Sequence, residues 1–179
     1  MISRVAAVAV ALVLVVGMTT GCQPEPGPSP SGPIFANEDE AFAAAEETYR
    51  AYVDALNQVD LSDPETFEAV YAWTTGDFDA SERKTLSEMH AESWTVSGRS
   101  EIARIDRLGA DDALSKIELG SCVGVSSVML LDADGVSQVS PDRPDLQMTT
   151  VDLTWSAASP TGYLIAEIAG AELEPPCQP

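Results

Sequence analysis

Positive charge is scarce in this sequence: 9 lysines and arginines stand against 29 aspartates and glutamates, a formal net charge of -20 over 179 residues. A chain this acidic has no basic surface with which to neutralise a phosphate backbone, so nucleic-acid binding is excluded as its function. Histidine and cysteine are also rare, with one and three copies. Because zinc sites are built mainly from these two residues, the composition predicts no metal site, and we expect no cofactor.

The longest apolar run lies at the amino terminus. Arg4 precedes twelve apolar residues, Val5–Val16, and a short polar stretch follows. A membrane-spanning helix needs about 20 apolar residues, whereas a charged start with a shorter apolar segment is typical of a signal peptide. We therefore predict that residues 1–21 are a signal peptide and that the mature chain is exported.

The run is followed by Thr19, Thr20, Gly21 and Cys22. These four residues resemble the lipobox of bacterial lipoproteins, in which the cysteine thiol takes a diacylglycerol and the signal peptide is cut just before it. The resemblance implies that Cys22 is the lipid attachment site, carrying palmitate-type acyl chains. It also implies a position on the outer face of the bacterial cytoplasmic membrane. The alternative is ordinary secretion, with Cys22 as an unused thiol.

A tract without apolar periodicity comes next. The segment Gln23–Pro33 reads QPEPGPSPSGP, and a composition of Pro, Gly and Ser is typical of an extended linker. The sequence therefore predicts three parts: the signal peptide over 1–21, an acylated cysteine with its linker over 22–34, and one folded domain over 35–179.

The other two cysteines are Cys122 and Cys177. If Cys22 carries lipid, an even number remains in an exported chain, and we predict one disulfide between them. The alternative is pairing with another molecule. Apolar side chains alternate over Ile117–Val123 in a way that places Cys122 on the opposite face of its strand, so we expect the bond to lie outside the main core.

Three amphipathic helices are predicted at the start of the domain. The first spans Glu38–Gln58, since apolar residues recur there at helical spacing, and Asn37 with Glu40 forms a capping box at its start. The second, shorter helix is predicted to begin at Asp63 and to end at Gly76. The third is predicted to begin at Asp79.

Beyond the helices the pattern changes to β-branched residues, period-two stretches and turn dipeptides. About five strands are predicted, joined by short turns. Helices followed by consecutive hairpins indicate an α+β fold, with three helices packed on one antiparallel sheet. The predicted strands are Trp94–Leu108, Ala113–Val123, Ser127–Val139, Leu146–Ser156 and Tyr163–Ala171.

The order of elements resembles the NTF2-like fold, a cone in which a curved antiparallel sheet wraps around the first helix. The closer likeness is to small actinobacterial lipoproteins of that superfamily. It is carried by Thr75-Gly76, Cys122, Asp132-Ala133-Asp134-Gly135, Arg143-Pro144 and the closing Cys177. Most members have no assigned activity, and the resemblance implies none here.

Few residues suggest chemistry. His90 could act as a general base, but a lone histidine without a partner is more simply structural. Asp132–Gly135 offers two carboxylates as in a calcium loop, but lacks the later ligands and reads better as a hairpin turn. Cone-fold enzymes place carboxylates or tyrosines in an apolar cavity, and the candidate cavity residues here, which could equally form the core, are Tyr49, Tyr52, Tyr71 and Trp73.

The charged residues of the third helix predict a solvated face with pairing between side chains four positions apart. They are Glu82, Arg83, Lys84 and Glu88.

The sequence holds no Ser-His-Asp arrangement, phosphate loop or zinc spacing that we can place, so no catalytic residue is predicted. We expect a lipid-anchored envelope domain that binds a protein partner or a small ligand through its cone. The alternative is an enzyme of the isomerase, cyclase or dehydratase kind. An open apolar cavity holding a carboxylate of raised pKa would favour the enzyme, and a cavity filled by aromatic side chains would favour the binding module.

Overall fold

A computed structural model describes residues 32–33, 35–172 and 174–177. The predicted signal peptide, Cys22 and most of the predicted linker lie outside the described residues. Within the described part of the chain, no helix is long and apolar enough to cross a membrane.

The first helix, α1, spans Glu38–Leu56. The Asn37 side chain accepts a hydrogen bond of 2.9 Å from the Glu40 amide, and the Glu40 carboxylate accepts one of 2.9 Å from the Ala36 amide. The first bond satisfies an amide that the first helical turn leaves without a partner. Asn37 is thus confirmed as the N-cap, and the Glu40 carboxylate bonds the amide one residue before the cap.

The second predicted helix is shorter than expected, and the third begins earlier than expected. A 3-10 turn, Pro64–Phe67, leads into the single turn α2, Glu68–Tyr71, and α3 spans Gly76–Ala91. The prediction that Gly76 ends the second helix is wrong, since α3 begins there. The chain before α3 is drawn into pairing with the sheet, because Ile165 donates to Trp73 and accepts from Thr75 through backbone groups.

In the part of the chain that the structure describes, six strands follow the helices. Four form the main antiparallel sheet in the order β2-β3-β5-β6, and the short strands β1 and β4 pair with each other in a separate two-stranded sheet. Their bounds are Thr95–Ser97 for β1, Glu101–Ala110 for β2, Lys116–Gly124 for β3, Met129–Leu131 for β4, Leu146–Trp155 for β5 and Tyr163–Gly170 for β6.

Two of the predicted strands are interrupted. The first divides into β1 and β2 at Gly98, which has φ of +83° and lies against the backbone of Ser127, where a Cβ would collide. The third shrinks to β4 because the Asp132 carboxylate accepts hydrogen bonds from the Asp134 and Val136 amides and turns the chain. The main sheet therefore has four strands rather than about five.

The core lies between α1 and one face of the main sheet. Ala41, Ala45 and Tyr49 project from α1 at helical spacing, and Leu119 and Ile165 meet them from the sheet, all almost fully buried. Register shifts in the β2-β3 and β5-β6 pairs mark irregularities of the kind that bend a sheet. The predicted α+β class, with helices packed on a curved antiparallel sheet, is confirmed.

Candidate functional site: an apolar groove between the helices and the small sheet

A groove of about 460 Å³ opens where the end of α1, the loop after it, α3 and the β1-β4 sheet come together. This volume lies within the usual range for small-molecule sites. We call it the groove throughout. It is lined by Leu56, Asn57, Val59, Leu61, Leu86, Met89, Val96, Ser97, Gly98, Ser100, Val128, Leu130, Gln138, Val139, Ser140 and Arg143. Most of these side chains are aliphatic and none is aromatic.

Asn57 fixes one end of the groove. Its side-chain amide donates a hydrogen bond of 2.9 Å to the Ser100 carbonyl, and its side-chain oxygen accepts one of 2.7 Å from the Ser100 amide. This reciprocal pair fastens the end of α1 to the chain entering β2, so that wall of the groove is held by the fold itself.

Arg143 is the one charged residue among those that line the groove. Its Nη2 donates hydrogen bonds of 2.7 Å to the Val125 carbonyl and 2.8 Å to the Val128 carbonyl. The side chain is half-buried. The guanidinium is therefore held in place beside the apolar wall instead of extending into solvent.

His90 supports the groove from outside its lining. Its Nδ1 donates a hydrogen bond of 2.7 Å to the Leu61 carbonyl, and its ring meets Phe67 edge-on. Leu61 is buried and lines the groove. The histidine thus holds the loop between α1 and the 3-10 turn, which is the structural role favoured by its lack of partners in the sequence.

The four aromatic cavity candidates lie in the body of the domain and do not line the groove. Tyr49, Tyr52 and Tyr71 belong to the buried core, and Trp73 packs against it from a half-buried position. Tyr71 faces the Arg83 guanidinium, which lies 3.9 Å from the ring centre. The structure therefore places these four side chains in or against the core, and they do not line the groove.

Tyr49 points towards a polar spot on the sheet. The hydroxyls of Ser121 and Thr149, which are cross-strand neighbours on β3 and β5, are buried without a partner of ideal hydrogen-bond geometry. Burial raises the pKa of the Tyr49 phenol, and hydrogen bonding to these two hydroxyls lowers it in part. The Tyr49 phenol therefore lies beside both hydroxyls.

Tyr52 faces Glu82 across the interface of α1 and α3. The Tyr52 hydroxyl donates a hydrogen bond of 3.2 Å to a Glu82 carboxylate oxygen. Burial raises the pKa of both groups, and for Tyr52 the negative charge of Glu82 adds to the effect. The pair lies one helical turn from Leu56 and Leu86, which line the groove.

The prediction that Glu82 belongs to a solvated charged face is therefore wrong. Glu82 is half-buried because it shares a helical face with Leu86, which lies one turn further on and is buried. Pairing on the outer face is partly confirmed, since Lys84 and Glu88 lie 3.9 Å apart, and Arg83 pairs with Asp79 at 2.8 Å. Exposed pairs of this kind contribute little to stability.

Replacing Glu82 by Gln should raise the melting temperature by a few degrees at neutral pH. The folded-state pKa of Glu82 lies above its ordinary value of 4.5, so the native state binds this proton more tightly than the unfolded chain. Its ionisation therefore lowers stability as pH rises through that window. Gln removes the buried charge and still offers an oxygen to Tyr52. Thermal unfolding followed by circular dichroism measures the effect.

Below pH 4.5 the difference between wild type and Glu82→Gln should shrink, because both side chains are then neutral. Glu88→Gln is the matched control on the exposed face of α3, and it should give no gain that depends on pH in this way. A gain from Glu82→Gln that is equal at acidic and neutral pH would contradict the raised pKa.

Asp132–Gly135 forms the turn that ends β4. The Asp132 carboxylate also accepts a hydrogen bond of 2.8 Å from the Gln138 side chain, and Gly135 adopts φ of +78°. Among the described residues, no group of three or more His, Cys, Asp or Glu side chains is placed to hold a metal ion.

Cys122 and Cys177 form a disulfide, with Cα atoms 5.8 Å apart, so the predicted pairing is confirmed. Cys122 is buried but does not belong to the core cluster, which contains Leu119 and Val123 from the same strand. The expected opposite face is thus also confirmed. A second contact holds the tail, since Arg104 donates a hydrogen bond of 2.7 Å to the Pro175 carbonyl.

Sequence reasoning did not identify the groove. Its walls combine the end of α1 with β1, β4 and the loop before β5, which are distant in the chain. One sequence signal was available, since Arg143-Pro144 belongs to the pattern that suggested the fold.

The structure is similar to several solved structures at low sequence identity. The intermembrane space region of the chloroplast protein ARC6 has a TM-score of 0.50 and 12% identity over 72% of this chain and 94% of that chain. CagV, a VirB8 homolog of a type IV secretion system from Helicobacter pylori, has a TM-score of 0.46 and 11% identity over 74% and 99% of the two chains. Aln2 from a Streptomyces species has a TM-score of 0.44 and 11% identity over 74% and 90%.

Neither a known sequence family nor a curated protein matches this chain. At 12% identity the likeness to the ARC6 region shows the fold alone.

Proposed function

We propose that this protein is a lipid-anchored binding module, displayed on the outer face of a bacterial cytoplasmic membrane, that takes up an apolar ligand in the groove. The observation that carries the proposal is the groove itself, with its aliphatic walls and its volume of about 460 Å³. Burying a ligand against such walls is favourable by about 25 cal/mol for each Å² of apolar surface removed from water.

The polar groups around the groove support a binding role more than a chemical one. Asn57 and Gln138 use their side chains to hold the backbone or the neighbouring turn. The pair with raised pKa values, Tyr52 and Glu82, is not part of the lining. A ligand in the groove would therefore contact mainly apolar side chains, and its fit to the shape of the groove would decide how well it binds.

The anchor part of the proposal rests on the amino terminus. A Cys22 acylated as in the lipoproteins that the sequence resembles would carry two or three chains, and each buried CH₂ contributes about 0.8 kcal/mol to membrane binding. The linker over 22–34 would hold the domain away from the headgroups. The likeness to actinobacterial lipoproteins of the NTF2-like superfamily agrees with this arrangement.

The binding role is tested with the uncharged fluorophore N-phenyl-naphthylamine, whose emission rises in apolar surroundings. We expect wild type to bind it in the groove and Val96→Trp to bind it much more weakly, because Val96 lines the groove and a Trp there would fill it. Val136→Trp is the matched control: Val136 is 58% exposed and does not line the groove. No fluorescence rise with wild type, or equal loss in both variants, would contradict the proposal.

A second candidate is an enzyme that uses Glu82 as its acid or base, because a carboxylate whose pKa is raised by burial is suited to proton transfer. This candidate requires the ligand to reach Glu82. Glu82→Gln should then change the affinity of the groove for the probe. If the affinity is unchanged, the binding module is favoured, since ligand and carboxylate do not meet.

A further inference from the structure

The side chain of Arg143 has hydrogen-bond donors that are not used within the described chain. Nη2 is occupied by the Val125 and Val128 carbonyls. Within the described chain, Nε and Nη1 donate to no other residue, and no carboxylate lies within 4.0 Å of the guanidinium. A half-buried cation that keeps free donors in an apolar wall favours the binding of an anion there.

Arg143 is the basic residue that lines the groove. Carboxylates outnumber basic residues by 29 to 9. Among the described basic residues, Arg83, Lys84, Arg104 and Arg107 have an acidic partner within 4.0 Å, and Arg50, Arg99, Lys116 and Arg143 have none. Arg143 lies between Asp142 and Asp145 in sequence, yet its donors are directed to backbone carbonyls instead. The fold thus keeps one cation available at the groove.

We propose that the ligand of the groove is an aliphatic carboxylate, with its hydrocarbon chain along the apolar wall and its carboxylate bound by Arg143. This rests on the proposed function, that the groove is a ligand site. Most of the lining is aliphatic, and a flexible hydrocarbon chain can follow such a wall. One cation balances one carboxylate, whereas a doubly charged phosphate in so acidic a protein would require more positive charge.

The test uses the predicted mature chain, residues 22–179, with Cys22→Ala, so that neither the signal peptide nor an acyl chain binds the probe, and displaces the neutral probe with decanoate or with decanol. The two compounds have the same chain length and differ in the headgroup. We expect decanoate to compete about tenfold better, as a hydrogen bond to a charged group allows. Arg143→Gln should abolish this preference, which is measured for each variant as the ratio of its own decanoate and decanol affinities.

Arg99→Gln is the matched control, because it removes the same charge from a residue that does not line the groove, and it should keep the preference. If wild type does not bind the neutral probe, the proposed function itself fails. If it binds the probe but treats decanoate and decanol alike, or if Arg143→Gln keeps the preference, only the present inference is overturned. Decyl phosphate competing better than decanoate would also overturn it.

Arg143→Gln could disturb the turn over 125–128 and so lose the probe altogether. In that case the role of Arg143 is tested by the way the wild-type preference for decanoate over decanol depends on ionic strength. The preference for decanoate should fall as salt is raised, because a charge pair at the rim of the groove is screened, and a preference that salt does not change would overturn the role of Arg143.

Discussion

Removing both cysteines of the disulfide, as Cys122→Ala with Cys177→Ala, should lower the free energy of unfolding by about 4 kcal/mol. The bond joins residues 55 positions apart, and closing a loop of that length removes about this much chain entropy from the unfolded state. For a domain of this size the melting temperature should fall on the order of 10 °C. Urea and thermal unfolding measure both quantities.

The native core should survive this change. Cys122 lies on the strand face opposite Leu119 and Val123, which belong to the core cluster. The near-ultraviolet circular dichroism of the double variant at low temperature should therefore match that of wild type. Cys22→Ala is the control, since it removes a cysteine outside the loop and should leave the melting temperature unchanged. Intact mass showing two free thiols in the exported wild type would contradict the disulfide.

Replacing Cys22 by Ala, with a cleavable secretory signal peptide in place of residues 1–21, should move the protein from the membrane fraction to the soluble fraction. Without residues 1–21 the chain retains 8 basic and 29 acidic side chains, and such a surface is repelled by anionic lipid. Nothing but the acyl chains would then hold the domain at the membrane. Cell fractionation with an alkaline wash, followed by immunoblotting, measures the distribution.

The control for this experiment is Ser31→Ala, a change of similar size in the linker that leaves the lipobox intact and should keep the protein in the membrane fraction. Mass spectrometry of the amino-terminal peptide should find diacylglycerol on Cys22 in wild type. A Cys22→Ala protein that stays with washed membranes would show that the anchor is something else.

Local patterns predicted those features that depend on neighbouring residues. Asn37 sets the start of α1 because an N-cap needs only one helical turn. The alternation around Cys122 gave the face of the disulfide because a strand has period two. The break between β1 and β2 was not predicted, since Gly98 turns the chain through its contact with Ser127, which lies on another part of the chain.

The environment of Glu82 in α3 likewise depends on residues distant in sequence, so the sequence pattern did not predict it. The sequence places it among charged neighbours, and only the packing of α3 on α1 turns it towards Tyr52 and raises its pKa. A side chain's solvent exposure depends on which face of the helix is covered, and the covering residues come from another element.

By itself, the sequence determined the α+β class, the helical start of the domain and the strongly acidic charge balance, because composition and short-range periodicity express these properties directly. It predicted the pairing of Cys122 with Cys177 from the cysteine count, and the structure brings the two residues together. The tertiary structure alone decided where the groove lies and that Arg143 faces it. Its walls come from α1, α3, β1, β4 and the loop before β5. A cavity is a property of how such distant segments pack, and no local pattern records it.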